Sequence, residues 1–463
     1  MGTGKVATST PALDNYAESF RAIEDSAAGR ALPWLRKLRQ DAFARFCATG
    51  FPTTRDEDWR FTNVAAIAQT PFRLARNGRA LPSRQDLEPL YMAGAGCRLV
   101  FVDGRFAPEL SAAGRLPEKV TVSSLADAIA DQPEAVEPHL GRYLNTERDA
   151  FCALNTAFLE DGAYVHISKC AVIRDPIHIL FISTTRDFPV VTHPRNLIVA
   201  EEDCQATIVE DYVSLGGGTA LSNTVTELVA GDHSMISHYM IEREHREAFN
   251  VSTLRIQQGR AADVASHSVL VGGALVRNNV HPVLAGEGGE CLINGLFAGN
   301  GRQHLDNYML VEHASPHCGS RQFYNGILDG QAHGVFHGRI IVHKDAQKTD
   351  AKQTNRNLLL SDTAQIDTKP QLEIYADDVK CTHGATIGQI EESALFYLRS
   401  RGIDETSARR LLLLAFASEC LDRMKEGRAR AHVEELIHQS LARLTGGPRE
   451  TVRQEEALRE SSR

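Results

Sequence analysis

Lys348-Thr349-Asp350-Ala351 through Cys381-Thr382-His383-Gly384, inside residues 336–388, is the stretch on which the fold turns. It reads as two or three short strands stacked on one another. The run Leu358-Leu359-Leu360 looks buried, Ser361-Asp362 and Ala376-Asp377-Asp378 read as polar turns, and a Cys-x-His pair follows. Upstream, from 163 to about 386, short strands alternate with turns rich in Gly, Asp and Asn, and no helical pattern interrupts them. The turns recur at Asp203, Asp232, Arg260, Glu287, Ser315 and Asp345, in steps of 29, 28, 27, 28 and 30 residues. A regular step near 28 without helices marks a stack of β-coils, each burying its apolar side chains against the next. A large sandwich or jelly roll is the competing reading, but its strands come at shorter, less regular spacing. The β-helix is therefore preferred.

Outside the stack the periodicity changes. Leu13, Tyr16, Phe20 and Ile23 recur at helical steps. A second helix opens near Pro33 with Leu35, Leu38, Ala42 and Phe46 on one side, and Gly50 stands at its C-terminal cap with Pro52 beyond. The charged stretch from Arg55 to Thr62 reads as a surface loop whose Trp59 packs on the helices. Arg98-Leu99-Val100-Phe101-Val102 before Asp103-Gly104 is a strand and tight turn, and residues 123–129 and 147–159 read as helices. After Glu391 helices return as caps on the stack. Asp404 caps one with Leu411, Leu414, Ala415 and Leu421 on its apolar face, and Val433, Leu436, Ile437, Leu441 and Leu444 mark another, stopped by Gly446-Gly447-Pro448. Residues from Arg449 are charged and read as frayed. The expected division is an N-terminal helical domain (1–95), a mixed α/β connection (96–162), the β-helix core (163–390) and a C-terminal helical domain (391–463).

With 463 residues and a net charge of -9, the chain is large enough for such an elongated stack and too acidic for a general nucleic-acid or acidic-membrane binder. The longest aliphatic run, 411–417, is far short of a bilayer span and is flanked by Arg409, Arg410 and Glu419. No secretory signal is read at the N-terminus. Nine cysteines, an odd number without framework spacing, suit reduced thiols and a cytoplasmic protein. Met1-Gly2-Thr3-Gly4-Lys5 lacks the spacing and the preceding strand of a phosphate loop, so ATP hydrolysis by this chain is not expected.

Two constellations carry chemistry. Cys381 and His383, two apart on a strand, leave the same face. Together they could hold a soft or borderline metal such as iron, or lower the thiol pKa. Two ligands do not complete a metal site, so others must come from neighbouring coils or a partner. The second constellation is His313, His317 and Cys318, with His304 and Asp306 one strand earlier, and its plain reading is a polar coil corner. The runs Gln353-Thr354-Asn355-Arg356-Asn357 and Asn278-Asn279 suit coil turns. No nucleophile elbow, zinc-protease helix or dinucleotide fingerprint is present. The residues alone point to a cytosolic β-helix scaffold with helical ends.

Three segments resemble the SufB/SufD family: Ala346-Gln347-Lys348-Thr349-Asp350-Ala351 with Asn355 to Asp362, the run from Pro370 to Thr386 around Cys381 and His383, and Leu395 to Ile403. The resemblance covers most of the chain from Gly50 onward and is weakest across 105–160. The stretches 50–62, 303–307 and 313–318, and Gly384-Ala385-Thr386 after His383, are similar to the SufD branch. The resemblance implies a mainly β fold, a right-handed parallel β-helix between helical domains. It implies pairing with SufB through the β-helix and a SufC ATPase on the C-terminal helices, with Leu411, Leu414, Phe416 and Leu421 as docking positions. Assembly of nascent iron–sulfur clusters, without catalysis by this subunit, is the implied role. Iron or a transient cluster at the interface, accepted by His383 with Cys381 beside it, is implied too, and reduced flavin on the assembled complex is admitted. A SufB-type sulfur-accepting subunit is the nearest alternative, and a β-helix carbohydrate-active enzyme a remote one. Neither nucleic acid nor membrane is expected as a partner.

Overall fold

The computed structural model describes residues 11–75, 81–114, 116–144, 146–147, 149–184 and 187–445. The fragment at Met1–Lys5, the stop at 446–448 and the tail from 449 lie outside them. From 163 to 388 the chain winds as a parallel β-solenoid in which successive strands alternate between two sheets. The first sheet runs through Ala220–Ala230, Phe249–Gln258, Leu275–Leu284, His304–His313, His333–Val342 and Gln365–Ile374. The second runs through Gln205–Leu215, Met235–Arg243, Asp263–Leu270, Glu290–Gly299, Gly319–Leu328, Asp350–Leu359 and Lys380–Gly388. The 336–388 region thus holds four strands, and neighbours in sequence lie in opposite sheets.

Alternation along each strand divides its side chains between the inside of the coil and a flank. Phe336, Ile340 and Val342 join the interior core with Ile293, Phe297 and Leu328. Within Leu358-Leu359-Leu360 the middle residue packs inward and its neighbours pack on the flank, so the run is half-buried. One corner recurs seven times in left-handed backbone, at Cys170, Asp203, His233, Ala261, Gly288, His317 and Lys348, with φ between 51° and 73°. Each of these N–H groups donates to a carbonyl of the next coil, as in Asp203 to Asp232, His233 to Arg260, His317 to Gln347 and Lys348 to Asp378. Six of the seven are not glycine, and the ladder of hydrogen bonds offsets a conformation that L-residues otherwise avoid. This ladder is the physical origin of the step near 28.

The sheets begin earlier than 163. Cys97–Val102 pairs with Ile177–Thr184, and Val120–Ser124 with Ala163–Ile167. The helices here differ from their sequence signals: Leu125–Asp131 is displaced two residues from 123–129 and starts after Ser124, which accepts from Asp127 N, and Ala150–Ala157 is shorter than 147–159 and starts after Asp149, which accepts from Cys152 N.

Helices Pro11–Ser26, Pro33–Thr49 and Ala150–Ala157 cover the outer face of the first sheet, where Phe46 and Leu154 meet Val191, Leu221 and Val251. Helices Glu405–Leu421 and Arg428–Thr445 cover the second, with Leu413, Ala417, Val433 and Ile437 against Tyr239, Leu296 and Phe323. The C-terminal helices therefore flank the stack instead of capping it. The last strand, Lys380–Gly388, is exposed along nearly its whole length, and Ile374, Tyr375 and Ile387 stand open to solvent. Among the described residues no helix is long and apolar enough to cross a membrane.

Burial holds several histidines neutral. His193 and His267 are pulled down to about 3 and His313 to about 4, each by desolvation. Unfolded histidine takes up its proton near pH 6.5, whereas these take it up later. Their contribution to stability is complete above pH 6.5 and is lost as pH falls toward 4, at about 1.4 kcal/mol per pH unit for each. The urea midpoint is expected to drop steadily from pH 7 to 4.5, and less steeply in His313→Gln. An equal slope in that variant would contradict this account.

Candidate functional site

Cys381 and His383 lie on the last strand of the second sheet, stacked in register on Ala351 and Gln353. Cys381 packs half-buried against the interior core, which places its neighbour two residues on, His383, on the same inward face. Both therefore stand at the mouth of the coil, where no further strand pairs with Lys380–Gly388 among the described residues. Burial raises the Cys381 thiol above its ordinary value. The alternative of a depressed thiol pKa is thereby corrected: in this chain alone Cys381 is a thiol. Beneath His383 lies a polar column, with Gln353 Nε2 donating to Gln322 Oε1 at 2.8 Å and Gln353 Oε1 left buried without a partner. No three His, Cys, Asp or Glu side chains among the described residues converge to hold a metal ion. The pair is a partial donor set on an open edge.

The second constellation is dispersed by the alternation of the strand. His313 lies inside the coil, wholly buried, with Nε2 2.8 Å from Ser320 Oγ. Cys318 is also buried, its thiol pushed up by desolvation and donating to the Gly286 and Pro316 carbonyls. His317 occupies an exposed left-handed corner. His304 faces outward, 2.9 Å from Thr62 Oγ1, and Thr62 donates in turn to Asp306 at 2.5 Å. Since the single hydroxyl hydrogen goes to Asp306, His304 Nε2 must donate to Thr62. Arg277 bonds Asp306 and lies 3.8 Å over Trp59, which stacks on Phe151. The loop around Trp59 thus packs on a helix as expected, and it is also stapled to the first sheet. These four positions serve packing and corners and form no common site.

On the C-terminal helices the orientation differs from the sequence reading. Leu421 is buried against the second sheet, and Leu414 and Phe416 pack partly on the same cluster. Leu411 faces solvent, together with Phe396 and Tyr397 of the helix Glu392–Ser400. The large apolar side chains that these helices leave in solvent are Leu411, Phe396 and Tyr397. The predicted stripe mixed two faces because 411–417 is apolar all round.

Two family profiles match the chain, one described as "SUF system FeS cluster assembly, SufBD core domain" over residues 181–416 and one as "SufBD protein N-terminal region" over 11–179. The chain belongs to the SufB/SufD family. It is 35% identical over 395 residues to an iron-sulfur cluster assembly SufBD family protein of Synechocystis, covering 83% of this chain and 86% of that protein. It is 30% identical to iron-sulfur cluster assembly protein SufD of Escherichia coli (89% and 93% covered) and 24% identical to SufD of Bacillus subtilis (84% and 90%). Within the family the chain is SufD-like, and its role is in iron–sulfur cluster assembly. The run Gln353 to Asn357, read in the sequence as a coil turn, lies instead within the strand Asp350–Leu359, and stepping back one coil at a time from His383 leads to Gln353 and Gln322.

Proposed function

We propose that this chain is a non-enzymatic, SufD-type scaffold subunit in a cytosolic setting. It pairs with a SufB-type protein through the mouth of its coil, carries a SufC-type ATPase on Leu411, Phe396 and Tyr397, and accepts iron as cargo at His383 and Cys381. One observation carries the reading: an incomplete soft-donor pair sits on an unpaired strand edge. Such an edge is a template for another chain's strand, which can bring the missing ligands. The relatives named SufD support the assembly role.

Co-expression with the two partners tests it. Ile387→Asp is expected to release the SufB-type protein and keep the ATPase, whereas Leu411→Asp does the reverse. Both substitutions lie on the surface and should leave stability within about 0.5 kcal/mol. Retention of both partners by both variants would sink the assignment of these surfaces.

A further inference from the structure

Between the corner at 243–246, the glycine-rich loop at 214–217 and the end of the last helix lies a cavity of about 570 Å³, remote in sequence from Cys381 and His383. Three guanidinium-bearing residues, Arg243, Arg246 and Arg443, line it. Arg243 is neutralised by the buried Asp211, with bonds of 2.9 and 2.7 Å. Arg246 and Arg443 form no ion pair among the described residues, and burial together with the charges of Arg246 and Arg243 lowers the Arg443 pKa. Arg246 and Arg443 are both exposed, so water screens their repulsion, and an anion held between the two guanidinium groups would offset what remains.

Among the described residues the carboxyls nearby form no ion pair with these two arginines, and Glu247, beside Arg246 in the chain, accepts from Gly218 N and lies 3.9 Å from His245. Glu244 lines the cavity but is 4% exposed and already accepts from Asn250 and Ser222, both at 2.8 Å. Glu242, fully buried behind it, accepts the N–H groups of Glu244 and Gly272. Burial holds both carboxyls above their ordinary range, which favours their neutral forms. Val271, Ala298 and Leu444 give the lining an apolar part, beside the polar Ser214, His245, Gln303 and Ser440. Asn300 Oδ1, also at the cavity, is buried and lacks a donor. The volume is that of a small-molecule site. A concave site on a chain of net charge -9 suits a compact anion better than a nucleic acid.

We propose that this cavity binds an organic phosphate, with the phosphate between Arg246 and Arg443 and the organic part against Val271, Ala298 and Leu444. Guanidinium forks match phosphate oxygens in pairs, and the orphan Asn300 acceptor would take an N–H or O–H of the organic moiety. The proposal is independent of the cluster-assembly reading.

Calorimetric titration of the full chain with AMP, pyrophosphate and citrate tests it. AMP and pyrophosphate are expected to bind, more weakly as salt rises, and citrate to bind less well. Arg246→Gln and Arg443→Gln should each weaken AMP about tenfold. Leu444→Asp should weaken AMP more than it weakens pyrophosphate, and the remote Arg321→Gln should change nothing. Failure of AMP to bind the wild-type chain, unchanged affinity in both arginine variants, or citrate binding as well as AMP would each overturn the proposal.

Discussion

Replacing His383 by alanine is expected to leave the chain folded and assembled with its partners while removing most of the iron they hold together. His383 is exposed on a strand at the mouth of the coil, so its removal opens no cavity in the core. Its neighbour Cys381 is half-buried with a raised pKa and cannot replace it as a ligand without losing a proton. Losing groups that merely orient a metal ligand lowers metal affinity by about 10–100-fold, so loss of a ligand should lower it at least that much. Iron and acid-labile sulfide in the purified complex, with the subunit ratio measured alongside, are the readout. Intact assembly with iron down by about tenfold or more assigns His383 to iron acceptance. Unchanged iron makes the pair structural and puts the cargo on the partner. A complex that no longer assembles would make His383 an interface residue first.

Replacing Arg195 by methionine should be among the most destabilising single changes available in this chain. Arg195 and Glu227 are fully buried and form an ion pair at 2.7 Å. Arg195 also donates to Asn155 and Thr156, and Glu227 accepts the backbone N–H groups of Gly141 and Tyr143. The pair thus joins the first sheet to the segment 141–157, whose helix Ala150–Ala157 packs against the N-terminal helices. Methionine fills much of the space but leaves Glu227 as an uncompensated buried charge, a change that costs about 3–5 kcal/mol. Urea unfolding at pH 7 should show that loss. The double variant Arg195→Met/Glu227→Gln should recover a large part of it, because the unpaired charge is then gone. A single variant within 1 kcal/mol of wild type, near the reach of an ordinary surface change, would show that the pair is solvated and not the junction described here.

Much of the architecture was legible because it rests on local chemistry. The recurrence of polar residues every 27–30 positions reflects a corner that each coil must turn, and the left-handed residue there is held by its N–H bond to the next coil whatever its side chain. The first two helices and Gly50 at φ 65° were readable from spacing and caps for the same reason. Alternation in the strand puts Cys381 and His383 on one face, in register with Ala351 and Gln353.

What the sequence left open depends on contacts far apart in sequence. His313, His317 and Cys318 are close in the chain, yet the pleat and the corner send them inward, outward and inward again. Leu411 and Leu421 share an apolar helix, but only the second sheet's outer face decides which of them is covered. The sequence therefore sufficed for the coil, its repeat and the helical ends, since each follows from periodicity and residue chemistry. That the helices flank the stack, that the donor pair lies at an open mouth, and that Arg246 and Arg443 converge on one cavity were settled by tertiary packing, because each depends on which distant surfaces exclude water from one another.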